Sequence, residues 1–221
     1  MFLIIIMTYY SQCGQDSFLD TKIFKGFKDG YFVDVGAHDG ITINNTLFFE
    51  KNHAWKGINV EPMKDIYNRL VENRPSCINL NCAVSDKDGQ AEFIINTGYT
   101  EMLSGLKNNY DTRHLTRLTR EISQHGGDTR TVLVDTQRLE TIFASHGVSR
   151  VHYLSIDVEG AEFSVIKSID FSKVFIDVIG FENNFNDTSV PIVKYLEAKG
   201  YTVALHSSDI FMIHKDSEFR V

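Results

Sequence analysis

Three short stretches carry the side chains whose types and spacing could do chemistry. The first, "YFVDVGAHDG" (31–40), runs from a strand-like hydrophobic pattern into a turn bearing Asp34, Gly36, Ala37, His38 and Gly40. It fits D-x-G-x-G-x-G with His38 at the place of the middle glycine, a position where histidine is one of the tolerated residues because it is enriched at positive φ. The glycines predict a backbone that a ligand can approach closely. The second is Glu61, which closes "GINVEP" where a carboxylate can accept hydrogen bonds from both hydroxyls of a ribose. The third is "LSIDVEGAE" (154–162), which sets Asp157 and Glu159 two residues apart so that both side chains share a face while the chain stays extended. The nearby "GFENNF" adds Glu182 and Asn183.

A glycine turn with an acid at the next strand end predicts a nucleoside-bearing ligand. The G-x-G-x-x-G fingerprint of nicotinamide enzymes is absent. Asp34 and Asp39 suit a cationic ligand better than a pyrophosphate, which favours S-adenosylmethionine with its sulfonium. Asp157, Glu159 and Glu182 are candidates for a general base, for ligands of a divalent cation, or for acceptors that orient hydroxyl groups. His38 and His206, the latter ending "YTVALH", sit where a base could reach a substrate. Glu162 has a plainer reading, as an acid that stabilises a helix start.

These groups need a scaffold that brings strand ends together. The runs "YFVDV", "GINVE", "CINLNCAV", "VHYLSIDV", "VFIDVIGF" and "YTVALHS" are rich in β-branched and apolar residues, as strands covered on both faces should be. Helical patterns lie between them at 43–53, 63–73, 136–146, 161–168 and 188–198. The alternation predicts an α/β, doubly wound, mostly parallel sheet whose ligand sits beyond the carboxyl ends of the strands. "YTVALHS" and "IFMIHK" are close enough in sequence to predict an antiparallel edge hairpin.

Residues 97–130 break the rhythm between "AEFIIN" and "TVLVDT" and are expected to form a lid-like insert. Within it Arg113, Arg117 and Arg120 share one face if the segment is helical. Guanidinium groups so arranged could bind the phosphates of a nucleotide-activated sugar, or pair with Asp111, Glu121 and Asp128 on a solvated face.

The chain has 221 residues, 43% hydrophobic content and a formal net charge of −7, which predicts one globular domain over 1–221 and argues against nucleic acid or an anionic membrane as partner. Cys13, Cys77 and Cys82 lack disulfide or metal spacing and fit a reducing, cytoplasmic setting. The opening "MFLIIIM" is too short to span a bilayer and lacks the flanks of a signal peptide. It is expected to be a core or interface strand able to build a homodimer, with Met7 an alternative start to Met1.

The ordered set "YYSQCGQD" (9–16), "FVDVGAHDG", "NNTLFFEK" (44–51), "WKGINVEP" (55–62), "NCAVSDKDG" (81–89) and "LSIDVEGAE" resembles the FkbM-type methyltransferases over most of the chain. That resemblance implies a Rossmann-like class I methyltransferase fold that binds S-adenosylmethionine. It would put Asp34, Gly36 and Ala37 along the amino-acid part of the cofactor, Glu61 on its ribose, and Cys82 and Ala83 by its adenine. Gln12 would lie near the cofactor, in a segment otherwise read as a helix cap. The implied reaction is O-methylation of a sugar or nucleotide-activated sugar. Another small polar acceptor, or an interaction protein that keeps the fold without chemistry, are the competing readings.

Overall fold

The computed structural model describes residues 8–221. The apolar segment 1–7, expected to form a strand and a dimer surface, lies outside the described residues.

The main sheet has seven strands in the order β10-β11-β9-β8-β1-β2-β3. They are β1 (Tyr31–Val35), β2 (Lys56–Val60), β3 (Ile78–Leu80), β8 (Arg150–Ile156), β9 (Phe175–Glu182), β10 (Tyr201–His206) and β11 (Asp209–His214). β3, β2, β1, β8 and β9 run parallel, and β11 pairs antiparallel with both β9 and β10. The doubly wound sheet and its antiparallel edge hairpin are as the sequence predicts.

Alternation along the strands supplies both cores. On one face Val33, Val35, Leu154 and Ile156 pack with residues of α5 (Leu139–Ser145), α6 (Glu162–Lys167) and α7 (Asn186–Glu197). On the other, Phe32, Tyr153 and Phe211 meet an aromatic cluster that includes Phe24, Phe48, Phe49 and Trp55. Leu19, Ile23 and Phe24 come to that cluster from the π-helical turn that follows α1 (Gln15–Phe18), and Phe48 and Phe49 from α2 (Leu47–His53). No helix among the described residues is long and apolar enough to cross a membrane.

Two expectations change. "CINLNCAV" is not one strand: only Ile78–Leu80 joins the main sheet, while β4 (Ala83–Val84) pairs with β7 (Thr129–Gln137) in a second sheet that β5 (Gly89–Asn96) and β6 (Gly105–Leu106) extend in the order β4-β7-β5-β6. Asn81 makes the break, because its amide donates to the carbonyls of Glu61 and Pro62 and turns the chain across the end of β2. The segment 97–130 is also more regular than its polar composition suggests. It leaves β5 (Gly89–Asn96), forms a 3-10 helix, the short β6 (Gly105–Leu106) and α4 (Thr112–His125), and returns in β7. Asp111 caps α4 by accepting the Arg113 backbone N–H.

The strand order reverses between β1 and β8, so the crevice of the sheet opens there. At that point the chain after β1 passes directly beside the chain after β8. Gly36 has φ +87°, and a Cβ on it would lie 1.8 Å from the Asp157 carbonyl oxygen. Gly36→Ala is therefore expected to cost at least about 2 kcal/mol of folding stability, measured by urea denaturation against the parent chain.

Candidate active site

A cavity of about 300 Å³ occupies this crevice at the carboxyl edge of the sheet. Gln12, Asp34, Gly36, Ala37 and His38 line it from the N-terminal half, Glu61, Cys82 and Ala83 from the middle, and Asp157, Glu159 and Glu182 from the far strand ends. The cavity thus gathers residues from all three stretches that the sequence singles out.

The glycine turn is built mainly from inside. Asp34 is buried, and its Oδ2 accepts hydrogen bonds from Asn44 Nδ2 and Thr46 Oγ1, both at 2.9 Å. Burial raises its pKa, opposed by the Arg74 charge and these two donors. Arg74 is fully buried and fastens the loop after the turn by donating to the Gly40 carbonyl, Asn44 Oδ1 and Thr46 Oγ1. Its other partner is Glu50. Gly40 does not reach the cavity: a Cβ there would meet Arg74 and Leu70, so this glycine serves packing rather than ligand approach. Asp39 also turns inward, accepting from the backbone of Ile41 and Thr42 and from the Thr42 hydroxyl. His38 takes the left-handed conformation expected of the glycine it replaces, with φ 50°. Its Nε2 lies 3.1 Å from Glu101 of the insert, which also accepts from Arg69.

Glu61 is buried and accepts the Met63 N–H at 2.7 Å. Burial pushes its carboxyl up to about 7. Beside it the wall is apolar, with Pro62, Met63, Ala83, Val84, Phe93 and Leu106. An acid next to an apolar slot suits a ribose joined to a flat base.

The far wall is a cluster of carboxylates. Asp157, Glu159 and Glu182 each offer an oxygen within 4.8 Å of the others. The pKa of each is raised, first by loss of solvation and then by the neighbouring acids. Asp157 is exposed and lines the cavity. Glu159 sits at φ 55°, an uncommon conformation for a residue other than glycine. Glu162 accepts the Gly160 N–H at 3.0 Å and braces this turn; it is absent from this cavity and lines the smaller one beside it.

The insert covers the site. Tyr99, Met102, Leu103, Arg117 and Glu121 of the insert line the cavity as well. Its contacts with the acid turn are close, since a Cβ on Gly160 would lie 2.8 Å from the Asn109 carbonyl and Asn109 Nδ2 donates to Ser164 at 3.2 Å. A second cavity of about 170 Å³ lies between the insert and α7, and Glu159 and Glu182 line both. His114 faces this second space, with Nδ1 3.5 Å from Glu159 Oε2 and its ring against Tyr110. Burial lowers its pKa.

Several residues expected at the site are elsewhere. Arg113 is bound by Asp111 and Asp187 and stacks on Phe185, outside both cavities. Arg120 is exposed and lines neither; of the arginine stripe only Arg117 does, and it pairs with Glu121 at 2.9 Å. The stripe cannot converge because His114 and Leu118 form the buried face of α4 and turn the arginines across its flanks. His206 is exposed at the end of the edge strand, and Asn183 is spent on Asn186 and the Ser207 carbonyl. Conversely, nothing marks His114 in the sequence except its position on the amphipathic face of α4, seven residues before Glu121.

The lining discriminates between ligands. Its glycine turn offers no Lys or Arg to a pyrophosphate, and a cationic sulfur would favour the ionised form of its acids, so the residues present fit S-adenosylmethionine. The same acids ionise at ordinary pH in the unfolded chain but only at higher pH in the fold. The unfolded chain then binds fewer protons, and stability falls as pH rises through about 7, where Glu61 ionises, and beyond. The ligand-free chain should accordingly unfold at a lower temperature near about pH 8.5 than near about pH 7, and Glu182→Gln should flatten that slope in a thermal melt series.

The methyltransferase FkbM domain matches residues 34–203. Among solved structures the chain is similar to methyltransferase FkbM from Methylobacillus flagellatus KT, with 13% identity and a TM-score of 0.49 over 85% of this chain and 44% of that one. It thus spans less than half of that protein's length. It is also similar to a "putative rRNA-methylase" from Clostridium thermocellum, with 7% identity and a TM-score of 0.45 over 93% of this chain and 95% of that one. No curated protein sequence matches the chain. Because the family match runs from the glycine turn past Glu61 and the acid turn into the edge hairpin, the chain belongs to the FkbM methyltransferase domain family.

Proposed function

We propose that the chain is an S-adenosylmethionine-dependent O-methyltransferase whose acceptor is a hydroxyl of a sugar. The observation that carries this reading is the acid wall shared by two cavities: Glu159 and Glu182 border both the larger space and the smaller one beside it. The larger cavity would hold the donor between Gly36, Glu61 and Ala83, and the smaller one would hold the acceptor. Bound S-adenosylmethionine supplies a methyl group whose bonding electron pair stays with sulfur, leaving a neutral thioether.

The acceptor oxygen must lose its proton as it takes the methyl group. Burial brings the carboxyls of Asp157, up to about 7, and Glu159, up to about 8, into the range of a recipient near neutral pH, since a general base works best when its pKa lies near the working pH. The smaller cavity offers amides and hydroxyls at Asn109, Asn184, Thr188 and Ser189, with the Tyr110 ring as an apolar face. That combination suits a polyol ring, whose C–H face packs on the aromatic ring while its hydroxyls meet the polar groups. A nucleotide-activated sugar remains within the proposal, with Arg117 the one arginine of the stripe in the cavity lining to meet a phosphate. Neutralisation of Arg113 by two acids favours an acceptor without phosphate.

Calorimetric titration with S-adenosylhomocysteine should give micromolar binding, and NAD should give none. Glu61→Ala should weaken the binding by at least about tenfold, or roughly 1.4 kcal/mol. Unchanged affinity in that variant would remove Glu61 from the ribose site. A screen of free sugars and nucleotide-sugars for methyl incorporation would then identify the acceptor; an absence of transfer to any hydroxyl compound by a chain that binds the donor would contradict the proposal.

A further inference from the structure

Asp157, Glu159 and Glu182 converge from the ends of two adjacent parallel strands, and their carboxylate oxygens lie within 4.8 Å of one another. Among the described residues, no Lys or Arg lies within ion-pair distance of any of the three. The basic group closest to an ion pair is His114, 3.5 Å from Glu159 Oε2. Asn184 meets one Glu182 oxygen at 2.6 Å. Three acids this close repel one another unless a proton or a cation lies between them.

Glu159 adds an independent observation. It is only 8% exposed, its Oε2 makes no hydrogen bond, and the side chain is aimed into the cluster. A buried carboxylate oxygen without a donor is a costly arrangement for a fold to keep. The turn also holds Glu159 in a left-handed conformation, with Gly160 pressed against the insert behind it.

We propose that Asp157, Glu159 and Glu182 bind a hard divalent cation, of the Mg²⁺, Mn²⁺ or Ca²⁺ class, at the wall between the two cavities. Oxygen-only donors select this class over softer metals. Metal–oxygen distances of about 2.1 Å for Mg²⁺ to about 2.4 Å for Ca²⁺ place ligand oxygens at most roughly 4.2 to 4.8 Å apart across the ion, so oxygens within 4.8 Å of one another are close enough to share an ion at the Ca²⁺ end of this class. Each carboxylate gives one oxygen to the cation, and Asn184 holds the second oxygen of Glu182. Three negative charges are offset by two positive ones, and the His114 ring stands beside Glu159 without bonding to it. The cation's role deepens the proposed acceptor chemistry and rests on that reading; its binding does not.

The test uses Mn²⁺ alone on the purified full chain, followed by the loss of the free-ion electron paramagnetic resonance signal. One Mn²⁺ per chain is expected, displaceable by Mg²⁺ or Ca²⁺. Glu159→Gln and Glu182→Gln should each weaken it at least about tenfold, with folding checked by circular dichroism. Glu92→Gln, at an exposed ion pair with Lys107, should leave it unchanged. No bound Mn²⁺, or equal binding in all four proteins, would overturn the inference. Titration of the same samples with S-adenosylhomocysteine separates the two failures: donor binding without Mn²⁺ binding sinks the cation and leaves the methyltransferase reading intact.

Discussion

The site depends on one close approach, the passage of Gly36 beside the Asp157 carbonyl. Gly36 and Ala37 donate their N–H groups to the Val60 carbonyl at 3.0 and 3.1 Å, while Asp157 donates its own to Val35 at 3.0 Å. The ends of β2, β1 and β8 are thereby knitted together beyond the last regular ladder bonds. Any side chain at position 36 would push the glycine turn and the acid turn apart. Both walls of the cavity are therefore one unit, and the donor and acceptor sides of the proposed reaction keep a fixed separation. Alignment of this kind is a large part of what a methyltransferase contributes, because the reacting atoms must meet in line.

Charge is distributed unevenly around that contact. Asp34, on the inner side, has Arg74, Asn44 and Thr46 near it and behaves as part of the scaffold. Asp157, Glu159 and Glu182, on the outer side, have no Lys or Arg within ion-pair distance among the described residues, Arg117 acting on Glu159 and Glu182 only from farther off, and they hold their protons more tightly. Acids that the fold satisfies carry structure, and acids that it leaves unsatisfied are available to a ligand. By this measure Asp39 and Glu162, both committed to backbone N–H groups, belong with Asp34. The insert strengthens the division, since Asn109 packs on the acid turn and Glu101 holds His38 of the glycine turn.

Much of this was legible in the sequence because it was local. The strands of the main sheet follow from runs of β-branched residues, and Asp34, Glu61 and Asp157 follow from their places at strand ends. What escaped was set by tertiary contacts. The split of "CINLNCAV" depends on Asn81 reaching the carbonyls of Glu61 and Pro62, which no pattern in 77–84 reveals. The arginine stripe had the right helical spacing, yet burial of His114 and Leu118 decided which face of α4 met the protein. Gly40 looked like a ligand contact and proved to be room for Arg74, a residue 34 positions away. His206 ends its strand as expected, but the hairpin puts that strand at the sheet edge, remote from the crevice. Spacing reports which side chains share a face; it does not report what the face is pressed against.

The most direct measurement of the central claim is a crystal structure of the chain with S-adenosylhomocysteine. The adenosine should lie between Glu61 and Ala83, with the sulfur turned toward Asp157 and leaving room for an acceptor oxygen about 3 Å from the position of the missing methyl carbon. Ligand density outside the crevice, or a sulfur turned away from the acid wall, would contradict the account.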